Sequence, residues 1–232
     1  MILIFVRHAI AMEREDFARY CLEKGIDPDD EQRPLTEEGQ RKMKKNAEGL
    51  VRILDAGFAR EPSASARTGL KKVRPIIISS PLVRAVETAA IISKAYGQKK
   101  NSKPDLTTST LAPGTPPKAF RDFLYDFLHS RPGRSHVNTM VIVVGHEPQL
   151  STSLGLWVIG KEKARFPFKK GGATCLEIGH ALTMGEARLL WALPPWALRS
   201  QANRVKAGSR KKAGTRKKAE TRKKKSGTKK SR

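Results

Sequence analysis

Apolar residues along this chain fall into two alternating patterns. Short unbroken runs, Ile2-Leu3-Ile4-Phe5-Val6, Ile76-Ile77-Ile78 and Met140-Val141-Ile142-Val143-Val144, have the length and aliphatic content of strands buried on both faces. Between them, apolar positions recur three and four apart. This spacing predicts a helix from the N-cap Thr36 to about Ala56, with Met43, Ala47, Leu50, Val51 and Leu54 inward and Gly57 as C-cap. Gly39 is a tolerated but unhelpful residue in its first turn. A second helix should run from Leu82 to about Tyr96, opened by Pro81 and closed by Gly97, with Val83, Val86, Ala90, Ile91 and Ala95 inward. A third should begin at Pro117 and bury Phe120, Phe123, Leu124, Phe127 and Leu128, and a fourth should cover Gln149 to Ile159. Phe17, Tyr20, Cys21 and Leu22 form a shorter helical face that Gly25 ends. Alternation over Thr174–Ile178, a run at Glu186–Leu193 and a short edge segment at Asp105–Thr108 supply further strands, and Trp196-Ala197-Leu198 is expected to pack back on the body. Ala59–Arg74, Lys99–Lys103 and Arg131–Asn138 read as loops and turns.

Strands alternating with helices predict an α/β fold with a largely parallel sheet. In such sheets ligand chemistry gathers outside the carboxyl ends of the strands. Two of the buried strands end there in histidine: the first runs into Arg7-His8, the third central one into Gly145-His146. Arg84 lies in the first turn after Ser79-Ser80-Pro81, on the same edge. Two guanidinium forks and two imidazoles suit a tetrahedral dianion such as a phosphoryl group. One His attacks phosphorus in line while the other donates to an oxygen. No carboxylate cage for a metal is apparent, so the two arginines would supply the neutralising charge, and no cofactor is implied.

Composition divides the chain. The formal charge is +24, and the stretch from Arg199 to Arg232, with 16 Lys or Arg and the single acid Glu220, carries +15 of it. A loose six-residue repeat (Gly208–Ala213, Gly214–Ala219, Glu220–Lys225) with almost no apolar side chains cannot offset ordering entropy by burial. The expected organisation is therefore a folded domain at 1–198 and a disordered basic tail at 199–232. Such a tail suits nonspecific polyanion contact, and its lack of aromatics argues against sequence-specific single-strand recognition. Cys21 and Cys175 have neither disulfide-framework nor zinc spacing, no basic region precedes the first apolar run, and no stretch reaches the ~18–20 apolar residues of a membrane span. A soluble, cytoplasmic protein with no membrane span is expected. The acidic stretch from Met12 to Gln32 is read as surface solvation.

Four stretches, in order, carry a resemblance: Val6-Arg7-His8-Ala9; Arg33-Pro34-Leu35-Thr36-Glu37-Glu38-Gly39; Ser79-Ser80-Pro81-Leu82-Val83-Arg84-Ala85-Val86-Glu87-Thr88-Ala89; and Val144-Gly145-His146-Glu147-Pro148. Over roughly residues 1–198 the chain resembles the histidine phosphatase superfamily. The resemblance implies a phosphoglycerate mutase-like three-layer sandwich with a mostly parallel central sheet. It implies His8 as the phosphorylated nucleophile, with Arg7, Arg84 and His146 binding the phosphoryl group; Arg33, whose motif matches, is either a further substrate contact or an ordinary surface arginine ahead of the helix. Ala9 stands where the family usually has glycine. Many members carry a carboxylate general acid after the third strand, but Thr107 to Pro117 contains no acid.

That absence, the Leu111-Ala112-Pro113-Gly114 loop and the Trp191-Ala192-Leu193-Pro194-Pro195 ending look like the SixA-type phosphohistidine phosphatases. An imidazole leaving group, with a conjugate-acid pKa near ~6.5, needs no dedicated acid. The expected partner is a phosphohistidine-containing protein. Alternatives are a small phosphorylated substrate handled by a phosphomonoesterase or mutase, or a polyanion-binding protein with a vestigial pocket. Asp105, Glu87 and Glu147 are the carboxylates available if an acid is used; Glu87 reads rather as a partner of Arg84 or a helix-surface residue. His129, His136 and His180 are expected to face solvent, and Lys169 and Lys170, ahead of Gly171-Gly172, either to form a solvated basic loop or to meet an anionic partner.

Overall fold

The structure is a computed structural model and describes residues 1–56, 74–97, 103–130, 139–162, 166–179 and 181–203. Six strands form one sheet: β1 (Ile2–Arg7), β2 (Ile76–Ser79), β3 (Leu106–Thr107), β4 (Met140–Gly145), β5 (Ala173–Glu177) and β6 (Arg188–Leu193). Their spatial order is β3-β2-β4-β1-β5-β6. The first four in that order run parallel; β5 is antiparallel to β1, and β6 to β5. The helices are α1 (Arg14–Glu23), α2 (Glu37–Asp55), α3 (Val83–Ala95), α4 (Pro117–His129) and α5 (Gln149–Ile159), with α6 at 195–203.

The two-residue period of a strand sorts β1 between two cores. Ile2, Ile4 and Val6 join Ile77, Ile142 and Val144 beneath α2 and α3. Leu3 and Phe5 join Val141, Val143, Phe120 and Trp157 beneath α4 and α5. Both faces are therefore covered, which makes a mixed α/β sandwich of three layers and explains the unbroken apolar runs. Phe5 and Phe120 are fully buried and meet edge to face at 6.1 Å. Each such ring contributes about 1.5–3 kcal/mol by burial.

Helix α2 begins where Thr36 Oγ1 accepts from Gly39 N at 3.0 Å. Gly39 is more than tolerated: a Cβ there would lie 2.0 Å from the Ile10 carbonyl oxygen, so only glycine lets α2 approach the loop after β1. The inner face of α2 carries Met43, Ala47, Leu50 and Leu54 as expected, but Ile53 is buried in place of the half-buried Val51.

The reading of α3 is corrected more substantially. Its buried face is Arg84, Ala85, Thr88, Ala89, Ile92 and Ser93, whereas Val83, Val86, Ala90, Ile91 and Ala95 are half-buried. The small residues are turned inward because α3 packs closely on both the sheet and α2. This rotation also points Arg84 into the protein.

Helix α6 continues through 203, past the boundary expected at 198, with Leu198 and Ala202 buried. Arg199 Nη1 donates to Asn46 Oδ1 at 3.1 Å, and Arg52 Nη1 donates to Gln201 O at 3.0 Å. Trp196, by contrast, is 67% exposed. The expected Gly57 cap, most of the loops at 59–74, 99–103 and 131–138, and the tail from 204 on lie outside the described residues.

A Cβ at Gly49 would lie 1.9 Å from the Leu198 carbonyl oxygen. Substituting Gly49→Ala should therefore destabilise the fold by about 1–3 kcal/mol, despite alanine's better helix propensity. Urea unfolding measures this; equal or greater stability would show that α6 does not seat on α2 at this distance.

Candidate active site

The pairing of β1 with β4 sets Val6 opposite Val144 and Arg7 opposite Gly145. One residue further, His8 and His146 leave the sheet side by side, with ring centroids 5.0 Å apart and planes inclined by 47°. His8 N donates to Gly145 O at 3.1 Å, which locks the two strand exits together. His8 Nδ1 lies 2.7 Å from Ala9 O. A carbonyl oxygen only accepts, so Nδ1 carries the proton and Nε2 keeps its lone pair. Among the described residues only Leu182 combines a side chain with positive φ, so Ala9 fits the loop in an ordinary backbone conformation.

Three other segments complete the basin. Strand β2 delivers Ser80, whose Oγ is 3.0 Å from His146 Nε2. The loop preceding β5 returns to this edge because β5 runs antiparallel; Gly171 N donates to both Arg7 O at 3.0 Å and His8 O at 3.1 Å. From the same loop, Phe168 O accepts from Arg7 Nη1 at 2.7 Å. Helix α3 contributes Thr88, which accepts from Ala9 N at 3.0 Å and donates to Arg84 O at 2.7 Å.

Arg84 itself is 3% exposed and donates from Nη1 to Asp30 O at 2.6 Å and from Nη2 to Asp30 Oδ2 at 3.0 Å. Arg33, also buried, donates from Nε to Asp30 Oδ1 at 2.9 Å and from Nη1 to Met12 O at 2.6 Å. Arg33 is thus joined to Arg84 through one carboxylate. Asp30 does not share the solvating role expected for the acids of residues 12–32: it is the partner of Arg84, Arg33 and, at 3.3 Å, Arg14. No periodicity or composition signal marks it, because its partners lie on three separate elements.

Arg7 Nε, Arg84 Nε and His146 Nδ1 are buried and have no hydrogen-bond partner among the described residues. Buried polar groups are normally paired. When Ser80 Oγ–H donates to His146 Nε2, the Nδ1 proton joins the two guanidinium N–H groups as a third donor. Donors of this kind suit an oxyanion.

Burial holds both imidazoles neutral. The pKa of His8 falls to about 3, by desolvation first and then by the charges of Arg84, Arg7 and Lys170, against the opposing Ala9 hydrogen bond. That of His146 also falls to about 3, by desolvation and then His8 and Arg84. Burial works to raise the Asp30 carboxyl, but Arg84, Arg33 and Arg14 together outweigh it and hold it below the usual carboxylate range.

The carboxylates named as acids separate clearly. Asp105 accepts from Ile77 N at 2.8 Å and from Arg74 at 2.7 Å, away from the strand exits. Glu87 neither orients Arg84 nor faces water freely: its Oε2 accepts from Leu35 N at 2.7 Å and ties down the segment after Arg33. Glu147 stays at the basin. Burial raises its pKa, Ser151 Oγ bonds Oε2, and Oε1 is buried without a partner among the described residues.

His129 is exposed, with Nδ1 2.8 Å from Tyr125 O; His136 and His180 lie outside the described residues. Lys169 is exposed, while Lys170 lies 3.6 Å from Glu13. Next to the basin a cavity of about 110 Å³ is rimmed by Ala9, Ile10, Lys42, Asn46, Lys170 and Arg199. Among the described residues, no three His, Cys, Asp or Glu side chains gather as a metal-binding group.

A sheet of this order, with paired histidines at two central strand exits and arginines beside them, has the phosphoglycerate mutase-like fold of the histidine phosphatases. Solved structures share it. The protein histidine phosphatase SixA complexed with tungstate aligns with a TM-score of 0.59, covering 85% of this chain and 99% of that one at 16% identity. A SixA-type structure from Agrobacterium tumefaciens aligns at 0.51, covering 84% and 97% at 18% identity. A phosphoserine phosphatase from Entamoeba histolytica, an H9A mutant in complex with phosphoserine, aligns at 0.50, covering 85% and 98% at 17% identity. These likenesses establish the fold. No protein-family model and no curated protein matches the chain.

Both imidazoles should remain neutral between pH 8 and 5, so their ring-proton NMR shifts should stay constant where an ordinary histidine titrates near ~6.5. Their folded pKa values lie below the unfolded one. The unfolded chain therefore binds more protons between about pH 6.5 and 3, and these two residues make stability fall on acidification through that window. Titration of either ring near pH 6.5 would contradict this burial.

Proposed function

We propose that this chain is a phosphatase acting through a phospho-His8 intermediate, with phosphohistidine in a partner protein as its substrate. The observation that carries this is the His8 tautomer: Nδ1 is held by Ala9 O, so Nε2 is an unprotonated nucleophile beside His146. Nε2 attacks phosphorus in line, forming a phosphorus–nitrogen bond as the substrate's own one breaks. Arg7, Arg84 and His146 hold the oxygens as charge shifts among them. Arg33 braces the arrangement from beyond Asp30. The departing imidazole takes its proton from solvent. Water then cleaves phospho-His8, restoring the free ring and releasing inorganic phosphate. Two guanidinium groups supply the positive charge that this sequence of steps needs, so the proposal includes no metal or cofactor.

A protein substrate would approach past the cavity beside the basin, whose rim carries Lys42, paired with Glu38, Lys170, paired with Glu13, and Arg199, bonded to Asn46. The two cysteines are free and buried, as suits a reducing cytoplasmic setting. Among the described residues, no helix is long and apolar enough to cross a membrane. In this reading the basic tail, described only as far as residue 203, is an accessory tether to a polyanion.

A second reading rests on Glu147. A carboxyl raised by burial beside His146 could protonate an alkoxide, which would make the enzyme a small-molecule phosphomonoesterase.

Exposure to a phosphoryl donor should leave an acid-labile, base-stable phosphate on His8. His8→Ala should form none and lose at least ~10³-fold in kcat/KM while keeping its fold. Retained turnover would remove the proposal. Glu147→Gln decides between substrates. It should change hydrolysis of a phosphohistidine peptide by less than about threefold, whereas a loss of ~10²-fold or more on a sugar phosphate, with the wild type preferring that ester, would establish the second reading.

A further inference from the structure

We propose that Asp30 is a positioning residue for the phosphoryl-binding Arg84, a role that rests on the function proposed above. Arg84 has five N–H groups. Asp30 engages one on Nη1 through its main-chain oxygen and one on Nη2 through its carboxylate. Three remain, including Nε, which has no partner among the described residues. The contact thus fixes the plane of the guanidinium and leaves donors for an oxyanion.

The alternative is that the Asp30 carboxylate occupies Arg84 as a competing internal anion. Two features argue against it. Displacing the carboxylate would not free Arg84, because the Asp30 main-chain oxygen also accepts from it. The carboxylate is also held from the far side by Arg33 and Arg14, and Arg33 is anchored in turn on Met12 O. The turn bearing Asp30 is itself closed by Asp29 Oδ1, which accepts from Glu31 N at 2.9 Å. Asp30 is therefore a fixed strut between the loop after β1 and the start of α3. It also sets one negative charge among three arginines, which lowers the repulsion that would otherwise push Arg84 aside.

The test is a double-mutant cycle read in two ways: tungstate binding by calorimetry and kcat/KM on a phosphohistidine peptide. Asp30→Ala should weaken tungstate binding about tenfold and lower kcat/KM about tenfold or more. In an Arg84→Ala background the same change should alter either quantity by less than twofold. Asp30→Asn keeps one acceptor oxygen but loses the charge and the second acceptor, so it should recover only part of the loss; it serves in place of Asp30→Ala if that variant does not fold. Tighter tungstate binding in Asp30→Ala would show a competing anion and overturn the proposal. Equal losses in both backgrounds would show only a loop-holding role and also overturn it. A wild type that binds tungstate but does not hydrolyse the peptide would count against the substrate reading alone. One that binds no tungstate removes the site and this inference together.

Discussion

The register between β1 and β4 is the constraint from which the rest of the molecule follows. Parallel pairing with Arg7 opposite Gly145 leaves the next residues of both strands, His8 and His146, as neighbours at the sheet's edge. A shift of one residue would reverse every side chain of β1 between the two cores. It would move Ile2, Ile4 and Val6 out of one apolar layer and Leu3 and Phe5 out of the other. The same burial that stabilises the sandwich therefore brings the two imidazoles together, and the hydrogen bonds of His8 to Gly145 and Ala9 and of His146 to Ser80 then set their orientation.

The basin is built as a balance between desolvation and charge. Burial keeps His8 and His146 uncharged, and the nearby arginines push in the same direction. Arg84 experiences the opposite demand, because a guanidinium stays charged and must find partners when buried. Asp30 answers it from a segment whose remaining acids are largely exposed. The carboxylate lies among three arginines and near enough to His146 to oppose the lowering of its pKa, so it compensates charge at this edge of the sheet. The buried donors on Arg7, Arg84 and His146 that lack partners among the described residues are a cost to the folded chain that an oxyanion would offset.

Close main-chain approaches position the surrounding segments. Gly39 lets α2 touch the loop after β1, and Gly49 lets α6 lie on α2. Asn46 links both: its Nδ2 donates to Gly171 O at 3.0 Å while its Oδ1 accepts from Arg199. A continuous set of hydrogen bonds thus runs from α6 through α2 to the turn that braces His8. Shape at this edge of the sheet depends on helices remote from it in sequence.

By itself the sequence determined the strands, four of the helices nearly to their ends, the polarity of the sheet edge and the presence of His8, Arg7, Arg84 and His146 along it. Buried parallel strands announce themselves as aliphatic runs, and what terminates them is visible because their ends are chemically abrupt. The tertiary structure alone decided which face of α3 turns inward, that Gly39 is required, that Glu87 holds Leu35, and that Asp30 joins Arg84 to Arg33. It also decided the tautomer of His8, through a carbonyl one residue away. Strand identity follows from local pattern, since burial on two faces demands apolar side chains at every position. Which polar groups meet depends on helix rotation and loop paths, set by packing between distant segments, and one-dimensional spacing does not encode them.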